Sequence, residues 1–510
     1  MAVSPPGSGR AAAERTFFGY PRWFGTLFVV DMWERFSFYG LLAILYLYLV
    51  AEPADGGMGM GAGSAAALVG MYMSLVFMAS LPGGWISDRI LGPRRATLWG
   101  GVLIACGHAV LAIPLPLSLY PGLGLVILGT GLVKPSMAAL IGQMFEDRPE
   151  RREAAFSVFY VSIQVSALFA PLITGYVAER IDWHLGFGIA AVGMLLGLVH
   201  YVVGLRNFGD VGARPGNPAP EPVRRLVLNR TLLWGGLSAV LVAAGLASSV
   251  LNAERLLMII GAGVLAVPLV YGTRLVRGQP AGGPARIRLR AFMWMLAAAA
   301  VFWTLYAQGP ALLNQFALDS VERTVSGFLV PASWFQSAQP LFLLMLAPLF
   351  AALWIRLGGR VGAVAKFSVG LLFAGLAFAV MGGAALGAEA GPVSPLWLLG
   401  AYLLLVVGEL AVAPVGLSLA AEVAPRGYDA QVLAMFWLSG AVGAALGGQV
   451  AHLSAVVGEP AYYALLGGLG LFVALALAAA RRTLNQRLAT RPQNSGEFNA
   501  RSTERMEATG

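Results

Sequence analysis

Residues 31–40, DMWERFSFYG, place three charges inside an apolar run that is long enough to cross a lipid bilayer. The run covers residues 23–50, and Asp31, Glu34 and Arg35 fall within five positions of it. A charged side chain at the centre of a membrane helix costs about 2.5 to 3.5 kcal/mol on insertion scales. Residues three and four apart share one helix face. The three charges are therefore predicted to line a helix bundle or a water-filled cavity rather than to face lipid.

This charged face has two interpretations. Asp31 and Arg35 stand at a spacing at which an acid and a base pair on one helix, so the face can be a static ion pair that fixes packing. It can instead be a network linked to protons or substrate. A buried lysine favours the second interpretation, because Lys134 lies deep in the fourth predicted span and is one of two lysines among 34 basic residues. Lysine can release its proton when it is buried, whereas arginine stays charged.

The composition is typical of a membrane protein with many spans. Hydrophobic residues make up 58% of the 510 residues and charged residues only 12%, where a soluble protein has about a quarter. The single cysteine, Cys106, excludes an intrachain disulfide and a cysteine-based metal site, and the four histidines show no metal-ligand spacing. The net charge of +9 does not require a nucleic-acid partner, since cytoplasmic loops of membrane proteins are rich in arginine. No metal and no cofactor is predicted.

Fourteen apolar segments have the length of a membrane span. They lie near 24–50, 65–87, 95–115, 119–143, 155–178, 185–205, 231–251, 255–275, 291–317, 332–356, 361–386, 395–421, 430–454 and 460–480. Arginine is concentrated in alternate loops, whereas 51–63 and 387–395 carry no positive charge. This alternation predicts a multi-pass protein of the cytoplasmic (inner) membrane with both termini in the cytoplasm.

The chain is organised as six, two and six spans. ISDRILGPRRAT at 86–97 joins the second and third spans, and the similar WIRLGGRVGAVAK at 354–366 joins the corresponding spans of the second half. Repeats of six helices with a site between them are one architecture of secondary transporters. The predicted domains are a cytoplasmic N-terminal tail (1–20), an N-terminal six-helix bundle (21–205), linkers with two inserted helices (206–290), a C-terminal six-helix bundle (291–482) and a disordered cytoplasmic tail (483–510).

Two further groups of charged residues are predicted to act. Glu409, in the span at 395–421, is followed by Pro414, and a broken helix with a carboxylate at mid-depth is a common build for a gate or substrate site. Glu409 is predicted to bind a substrate ammonium, with structural pairing to an arginine as the alternative. The gating residues are predicted in the short loop between the second and third spans, where charges can pair in one state and separate in another. They are Asp88, Arg89, Arg94 and Arg95.

Seven segments carry a family resemblance that runs in order from about residue 20 to 480. They are WERFSFYG, GGWISDRILGPRR, FSVFYVSIQVSALFAPLITG, FWTLYAQ, WFQSAQPLFLLMLAPLFAALW, GELAVAPVGLS and LAMFWLSGAVGAALGG. Together they resemble the proton-coupled oligopeptide transporter (POT) family, a branch of the major facilitator superfamily. The resemblance implies an all-α polytopic membrane fold with two six-helix bundles and two inserted central helices, which makes fourteen transmembrane helices.

The match to the family pattern is uneven at single residues. The positions that agree are Glu34, Arg35, Tyr39, Lys134, Glu409 and Trp437. Asp31 stands where the family has glutamate, and Phe38 replaces the first tyrosine of a pair. Leu42 replaces an arginine, and Ala307, just before Gln308, replaces a glutamate. In the family these last two charges are thought to face each other and to take part in proton coupling, so their joint loss bears on the coupling here.

The resemblance implies which residues of this chain act. The proton-coupling residues are Asp31, Glu34, Arg35 and Lys134. The substrate-binding residues are Tyr39, Lys134, Gln164, Trp303, Gln308, Gln339, Glu409 and Trp437, where Gln164 and Gln339 take the places of two family asparagines.

The leading hypothesis is a secondary active transporter that takes up di- and tripeptides with protons by alternating access. The alternatives are transport of another peptide-like or amino-acid-derived molecule, and a facilitator or exchanger with altered proton coupling. The expected partners are a small-molecule substrate, protons and the lipid bilayer, without nucleic acid, and the chain is expected to be a monomer. The spans contain no constellation typical of an enzyme. No GxxxxGK[ST] loop is present, so the proton gradient rather than ATP is the expected energy source.

Overall fold

The described chain is built almost wholly of α-helices. The computed structural model describes residues 17, 20–145, 149–248, 253–425 and 428–489. The helices are α1 (Arg22–Val50), α2 (Ala62–Ile86), α3 (Pro93–Leu111), α4 (Leu119–Met144), α5 (Pro149–Arg180), α6 (Trp183–Gly204), α7 (Glu221–Ala247), α8 (Ala253–Arg277), α9 (Pro284–Tyr306), α10 (Leu312–Asp319), α11 (Ala338–Leu357), α12 (Ala363–Ala388), α13 (Leu396–Val423), α14 (Asp429–Val450), α15 (Ser454–Val457) and α16 (Glu459–Leu488). Two strands, β1 (Thr324–Val325) and β2 (Phe328–Leu329), form an antiparallel hairpin. Among the shorter turns, a π-helical turn covers Ser87–Leu91 and a 3₁₀ turn covers Ala332–Ser337.

Local sequence explains where several of these elements begin and turn. Pro93 opens α3, where its missing N–H is not needed, and Gly92 before it has a φ of 78°. Asp182 caps α6, because its Oδ1 accepts a hydrogen bond of 2.9 Å from the backbone N–H of Leu185. Ser326 and Gly327 connect β1 to β2 with φ values of 52° and 82°, as a two-residue hairpin turn requires.

The structure divides into two compact units, and each unit contains segments from both halves of the chain. Unit 1 contains α1, α2 from Leu75 onward, α3 to α7, and Arg323–Leu341. Unit 2 contains Ala62–Ser74, the chain from α8 to Glu322, and the chain from Phe342 to the end of α16. Each unit therefore includes a segment that the simple division into two six-helix halves assigns to the other half.

Unit 1 is held together around α1. This helix packs mainly against α5 and α6, and α3 packs against α4 and α6. One end of the unit is filled by aromatic side chains, in which the Phe24 ring centroid lies 6.4 Å from that of Phe145 and 6.3 Å from that of Phe159. These contacts fix the position of α1 and, with it, the side chains of its charged face.

Unit 2 packs α12 against α13 and α16, and α9 against α14 and α16. Glycine permits the close approach of α14 to α9. A Cβ added at Gly443 would lie 2.4 Å from the Cβ of Trp303 and 2.8 Å from the carbonyl oxygen of Ala300. Small residues at helix interfaces let backbones approach in this way in membrane proteins. The contact holds α9, which carries the predicted site residue Trp303, in a defined position.

The helix bounds change some of the predicted borders. α9 begins at Pro284, inside the region assigned to linkers, and α16 continues to Leu488, so residues 483–488 are helical rather than part of a disordered tail. The predicted span at 291–317 is two helices, because α9 ends at Tyr306 and α10 begins at Leu312. The N-terminal tail up to residue 16 and residues 490–510 lie outside the described residues.

Twelve described helical segments are long and apolar enough to cross a membrane. α1, with its charges, and α3 are not among them, although fourteen of the described helices have at least 19 residues. The count of fourteen spans therefore stays a prediction. The all-helical, multi-span character does not depend on that count.

Candidate functional site

The charged face of α1 is buried inside unit 1. Asp31 is 2% exposed and Glu34 is 1% exposed. The Nε of Arg35 lies 3.5 Å from Asp31 Oδ1 and 3.3 Å from Glu34 Oε2. The pairing of Asp31 with Arg35, predicted from their spacing, is confirmed. Arg35 is thus shared by two carboxylates.

Hydrogen bonding differs between the two carboxylates. The hydroxyl of Ser162, on α5, donates to Asp31 Oδ2 at 2.6 Å, and the same hydroxyl lies 2.6 Å from the carbonyl oxygen of Phe159. Its single hydrogen can serve only one of these acceptors at a time. Neither Glu34 oxygen has a hydrogen-bond partner among the described residues. The sequence did not single out Ser162, because a serine on another helix carries no sign of its contact with Asp31.

Lys134 lies against two aromatic rings of unit 1. Its Nζ is 4.8 Å from the ring centroid of Phe38, on α1, and 5.0 Å from that of Phe77, on α2. Within the described part of the chain, no carboxylate oxygen lies within 4.0 Å of this ammonium. The predicted role of Lys134 in proton coupling and substrate binding stays a prediction. Its neighbours are rings, and Phe77 was missed altogether.

The other predicted binding residues of unit 1 lie on three helices. Tyr39 belongs to α1, and its ring centroid lies 5.2 Å from that of Phe38. Gln164 is buried on α5, two positions after Ser162. Gln339 lies in the first turn of α11, and its buried Nε2 has no hydrogen-bond partner among the described residues. Gln339 therefore has a donor available for a ligand.

Glu409 is the predicted acid of unit 2. It lies on α13, and one of its carboxylate oxygens accepts a hydrogen bond from the side chain of Tyr306, on α9. Its Oε2 is buried and has no hydrogen-bond partner among the described residues. α13 runs without a break from Leu396 to Val423, so the predicted interruption at Pro414 was wrong. Proline is tolerated inside membrane helices where neighbouring groups satisfy the freed backbone.

Gln308 has its whole amide engaged within unit 2. Its Nε2 donates to the carbonyl oxygens of Thr304 at 3.1 Å and Gly447 at 3.0 Å. Its Oε1 accepts from the Tyr462 hydroxyl at 2.9 Å, and the residue is 1% exposed. These contacts give Gln308 a structural role, and in this structure it offers no free group to a substrate.

The two predicted tryptophans differ in exposure. Trp303, on α9, packs against Tyr306 with ring centroids 5.4 Å apart. Trp437, on α14, is 48% exposed. Trp303 thereby packs against the tyrosine that donates a hydrogen bond to Glu409. Trp437, in contrast, has about half of its side-chain surface available for contact with a ligand or with lipid.

The predicted gating residues lie against the linker that follows α6. The backbone oxygens of Asp88 and Arg89 accept hydrogen bonds from the N–H groups of Asn217 (3.2 Å) and Ala219 (3.0 Å). The Arg94 guanidinium donates to the carbonyl oxygen of Gly209. Over the described residues, no ion pair includes Asp88, Arg89, Arg94 or Arg95. A gating role for these four residues stays a prediction.

A second charged centre in unit 1 was not predicted. It involves Arg323–Leu341, which we call the docked segment because it comes from the second half of the chain yet belongs to unit 1. Glu179, on α5, accepts hydrogen bonds from the backbone N–H of Ala332 at 2.8 Å and of Ser333 at 2.9 Å, and from the Ser333 hydroxyl at 2.5 Å. Arg323 lies 3.9 Å from Glu179 Oε2. Glu179 thus fixes the start of the 3₁₀ turn that leads into α11.

More hydrogen bonds attach the docked segment to unit 1. The Trp334 indole N–H donates to the carbonyl oxygen of Leu172 at 2.9 Å, and the Ser337 hydroxyl donates to that of Leu168 at 2.7 Å. A Cβ at Gly175 would lie 1.9 Å from the Ser333 Oγ, so this approach requires glycine. The docked segment is therefore an integral part of unit 1.

The chain is similar to known proteins over most of its length. The sequence model of the POT family matches residues 94–465. A di-/tripeptide transporter of Lactococcus lactis subsp. cremoris is 34% identical over 485 residues, which cover 92% of this chain and 97% of that protein. The crystal structure of a peptide transporter POT in complex with sulfate is 36% identical, with a TM-score of 0.89, covering 93% of this chain and 97% of the other. That of a POT family transporter in complex with 5-aminolevulinic acid is 32% identical, with a TM-score of 0.87, covering 92% and 98%.

These similarities extend over nearly the whole chain and include both units. They confirm the family resemblance found in the sequence and the all-α fold of the major facilitator type. They also confirm that the chain is a multi-span membrane protein of a transporter family and not an enzyme. The chain belongs to the POT family.

Proposed function

We propose that the protein is a secondary active transporter that takes up di- and tripeptides together with protons. The observation that carries this proposal is a pair of oppositely charged groups that the protein leaves without an ionic partner. Among the described residues, Lys134 has no carboxylate within 4.0 Å, and Glu409 Oε2 has no hydrogen-bond partner. A short peptide carries a carboxylate at one end and an ammonium at the other. We assign the carboxylate to Lys134 and the ammonium to Glu409, each from its own surroundings within its own unit.

The name of the Lactococcus lactis relative, a di-/tripeptide transporter, supports the same substrate class. Tyr39, Gln164, Trp303, Gln339 and Trp437 complete the proposed substrate contacts. Proton coupling passes through Asp31, Glu34 and Lys134, or through Glu409, because Leu42 and Ala307 are buried apolar residues at the places of the two missing charges. The proton gradient is the energy source. The protein acts as a monomer in the cytoplasmic membrane, with both termini in the cytoplasm.

Uptake of a labelled dipeptide into proteoliposomes tests this function. An imposed inward proton gradient is expected to drive accumulation above the equilibrium level, and a panel of unlabelled peptides is expected to compete. Competition by amino-acid derivatives such as 5-aminolevulinic acid, without competition by peptides, would show that the substrate is an amino-acid derivative and not a peptide. Exchange of labelled peptide without any response to the gradient would instead identify an exchanger.

Replacing Tyr306 with phenylalanine tests the ammonium-binding role of Glu409. The Tyr306 side chain donates a hydrogen bond to the Glu409 carboxylate, which leaves Oε2 for the ligand. Losing one hydrogen bond that orients a carboxylate is expected to weaken binding of a dipeptide by about 2- to 12-fold. Competition binding measures the loss, and an N-acetylated dipeptide, which lacks the ammonium, should lose nothing.

The matched control for this variant is Tyr463→Phe in the same unit. The Tyr463 hydroxyl contacts the carbonyl oxygen of Leu312 at 3.3 Å. This change should leave the affinities for both ligands as they are. Equal weakening for the free and the N-acetylated dipeptide in Tyr306→Phe would show a general packing defect and contradict the assigned role.

A further inference from the structure

The surroundings of Lys134 differ from those of every acid and base near it. Its ammonium lies over two phenyl rings, 4.8 Å from the Phe38 centroid and 5.0 Å from the Phe77 centroid. The rings come from two different helices, α1 and α2. We call Phe38 and Phe77 together the aromatic clamp. A cation over a ring face is attracted by the ring quadrupole without losing its charge.

The carboxylates close to Lys134 are engaged elsewhere. Arg35 Nε lies 3.5 Å from Asp31 and 3.3 Å from Glu34, and Ser162 donates a hydrogen bond to Asp31. Both acids act on Lys134 only from a distance, together with Arg35. Arg35 is therefore the basic residue with which both carboxylates pair. The Lys134 ammonium is therefore held by ring faces rather than by an ion pair.

We propose that Phe38 and Phe77 are positioning residues that keep the Lys134 ammonium apart from Asp31 and Glu34, so that the substrate carboxylate binds a lysine that no salt bridge holds. This proposal rests on the proposed function, because it takes the carboxylate of a peptide as the ligand. A lysine held by a salt bridge must first be released, and protonation of its acid partner is what releases it. A lysine held by ring faces needs no such step. The clamp thus separates substrate binding from protonation of the acidic pair.

Removing a ring face should make substrate binding depend again on protonation of Asp31 and Glu34. The charged and titratable groups around the ammonium are Asp31, Glu34 and Arg35, all on α1. From the neighbouring helices, α2 contributes the Phe77 ring and α5 the Ser162 hydroxyl that holds Asp31. Without a ring, the lysine is free to move to one of the two acids. A peptide carboxylate must then compete with that acid, and acidification relieves the competition.

The first experiment compares Phe38→Leu and Phe77→Leu with wild type in competition binding of a dipeptide at neutral and at mildly acid pH. Leucine stays apolar but lacks the ring face. Each variant is expected to bind about 2- to 30-fold more weakly than wild type at neutral pH, which is the range of a cation–π contact. The loss should shrink at acid pH. Phe38→Tyr keeps the face and should match wild type at both pH values. An equal loss at both pH values would overturn the proposal.

The second experiment needs no substrate. Unfolding midpoints are measured in detergent for wild type, Phe38→Leu, Lys134→Met and the double variant. Phe38→Leu is expected to lower the midpoint more when Lys134 is present than when it is methionine, because only the lysine loses a cation–π contact. Equal shifts in both backgrounds would overturn the clamp. A clear difference, combined with no peptide binding by wild type, would support the clamp and refute the peptide as ligand.

Discussion

Replacing Lys134 with alanine is expected to abolish accumulation of a dipeptide in proteoliposomes driven by a proton gradient. The substitution removes the proposed contact for the substrate carboxylate. It also changes the balance of the buried cluster, in which Asp31 and Glu34 then share the single positive charge of Arg35. An unpaired charge inside a membrane protein is costly. The variant is therefore also expected to have a lower unfolding midpoint than wild type.

Lys134→Arg separates the two consequences of that change. Arginine keeps the positive charge, and a guanidinium also stacks on aromatic faces, so substrate binding measured by thermal shift should persist. Arginine does not release its proton, so concentrative uptake should be lost. A Lys134→Arg protein that still accumulates dipeptide against its gradient would rule out proton exchange by the lysine. Loss of binding as well would mean that the shape of the lysine, rather than its titration, is required.

Replacing Glu179 with alanine is expected to free the start of the docked segment. The carboxylate accepts the backbone N–H groups of Ala332 and Ser333, and these donors would lose their partner. A donor left without a partner in this way costs about 1 to 3 kcal/mol. Hydrogen–deuterium exchange at these two amides should become about 5- to 150-fold faster. The same variant should transport poorly, because the turn that leads into Gln339 loses its fixed position.

Two further variants control for this effect. Glu179→Gln keeps one carbonyl oxygen as acceptor and should give an intermediate exchange rate. Glu389→Ala removes an exposed acid from the loop after α12, and exchange at Ala332 and Ser333 should not change. Unaltered protection of these amides in Glu179→Ala would mean that the rest of the docked segment holds them without the carboxylate.

The sequence predicted those features of the fold that depend on residues close together in the chain. The spacing of Asp31, Glu34 and Arg35 predicted one buried charged face, and the structure confirms both the burial and the ion pair. Helix type and most helix bounds followed from long apolar runs. The family resemblance rested on seven short segments and is confirmed.

Features that depend on packing between distant residues were missed. Phe77 reaches Lys134 from a helix that lies far away in the chain, and nothing in a phenylalanine within an apolar run marks it as a cation partner. Glu179 meets Ser333 across 154 residues. Gln308 resembles a ligand-binding residue by position, and its structural role became clear only from Tyr462 and Gly447, which occupy its amide. Residue type gives the chemistry available, whereas tertiary contacts decide how it is used.

The placement of the docked segment has a consequence for biosynthesis. Unit 1 includes Leu341, so it cannot be complete until the ribosome has translated well past the two inserted helices. Glu179 must wait for Ser333, which follows 154 residues later. At about 5 to 20 residues per second, that interval lasts roughly 8 to 30 s. During this interval, the Glu179 carboxylate on α5 lacks its final hydrogen-bond partners. Unit 1 is completed only when the docked segment has been synthesised.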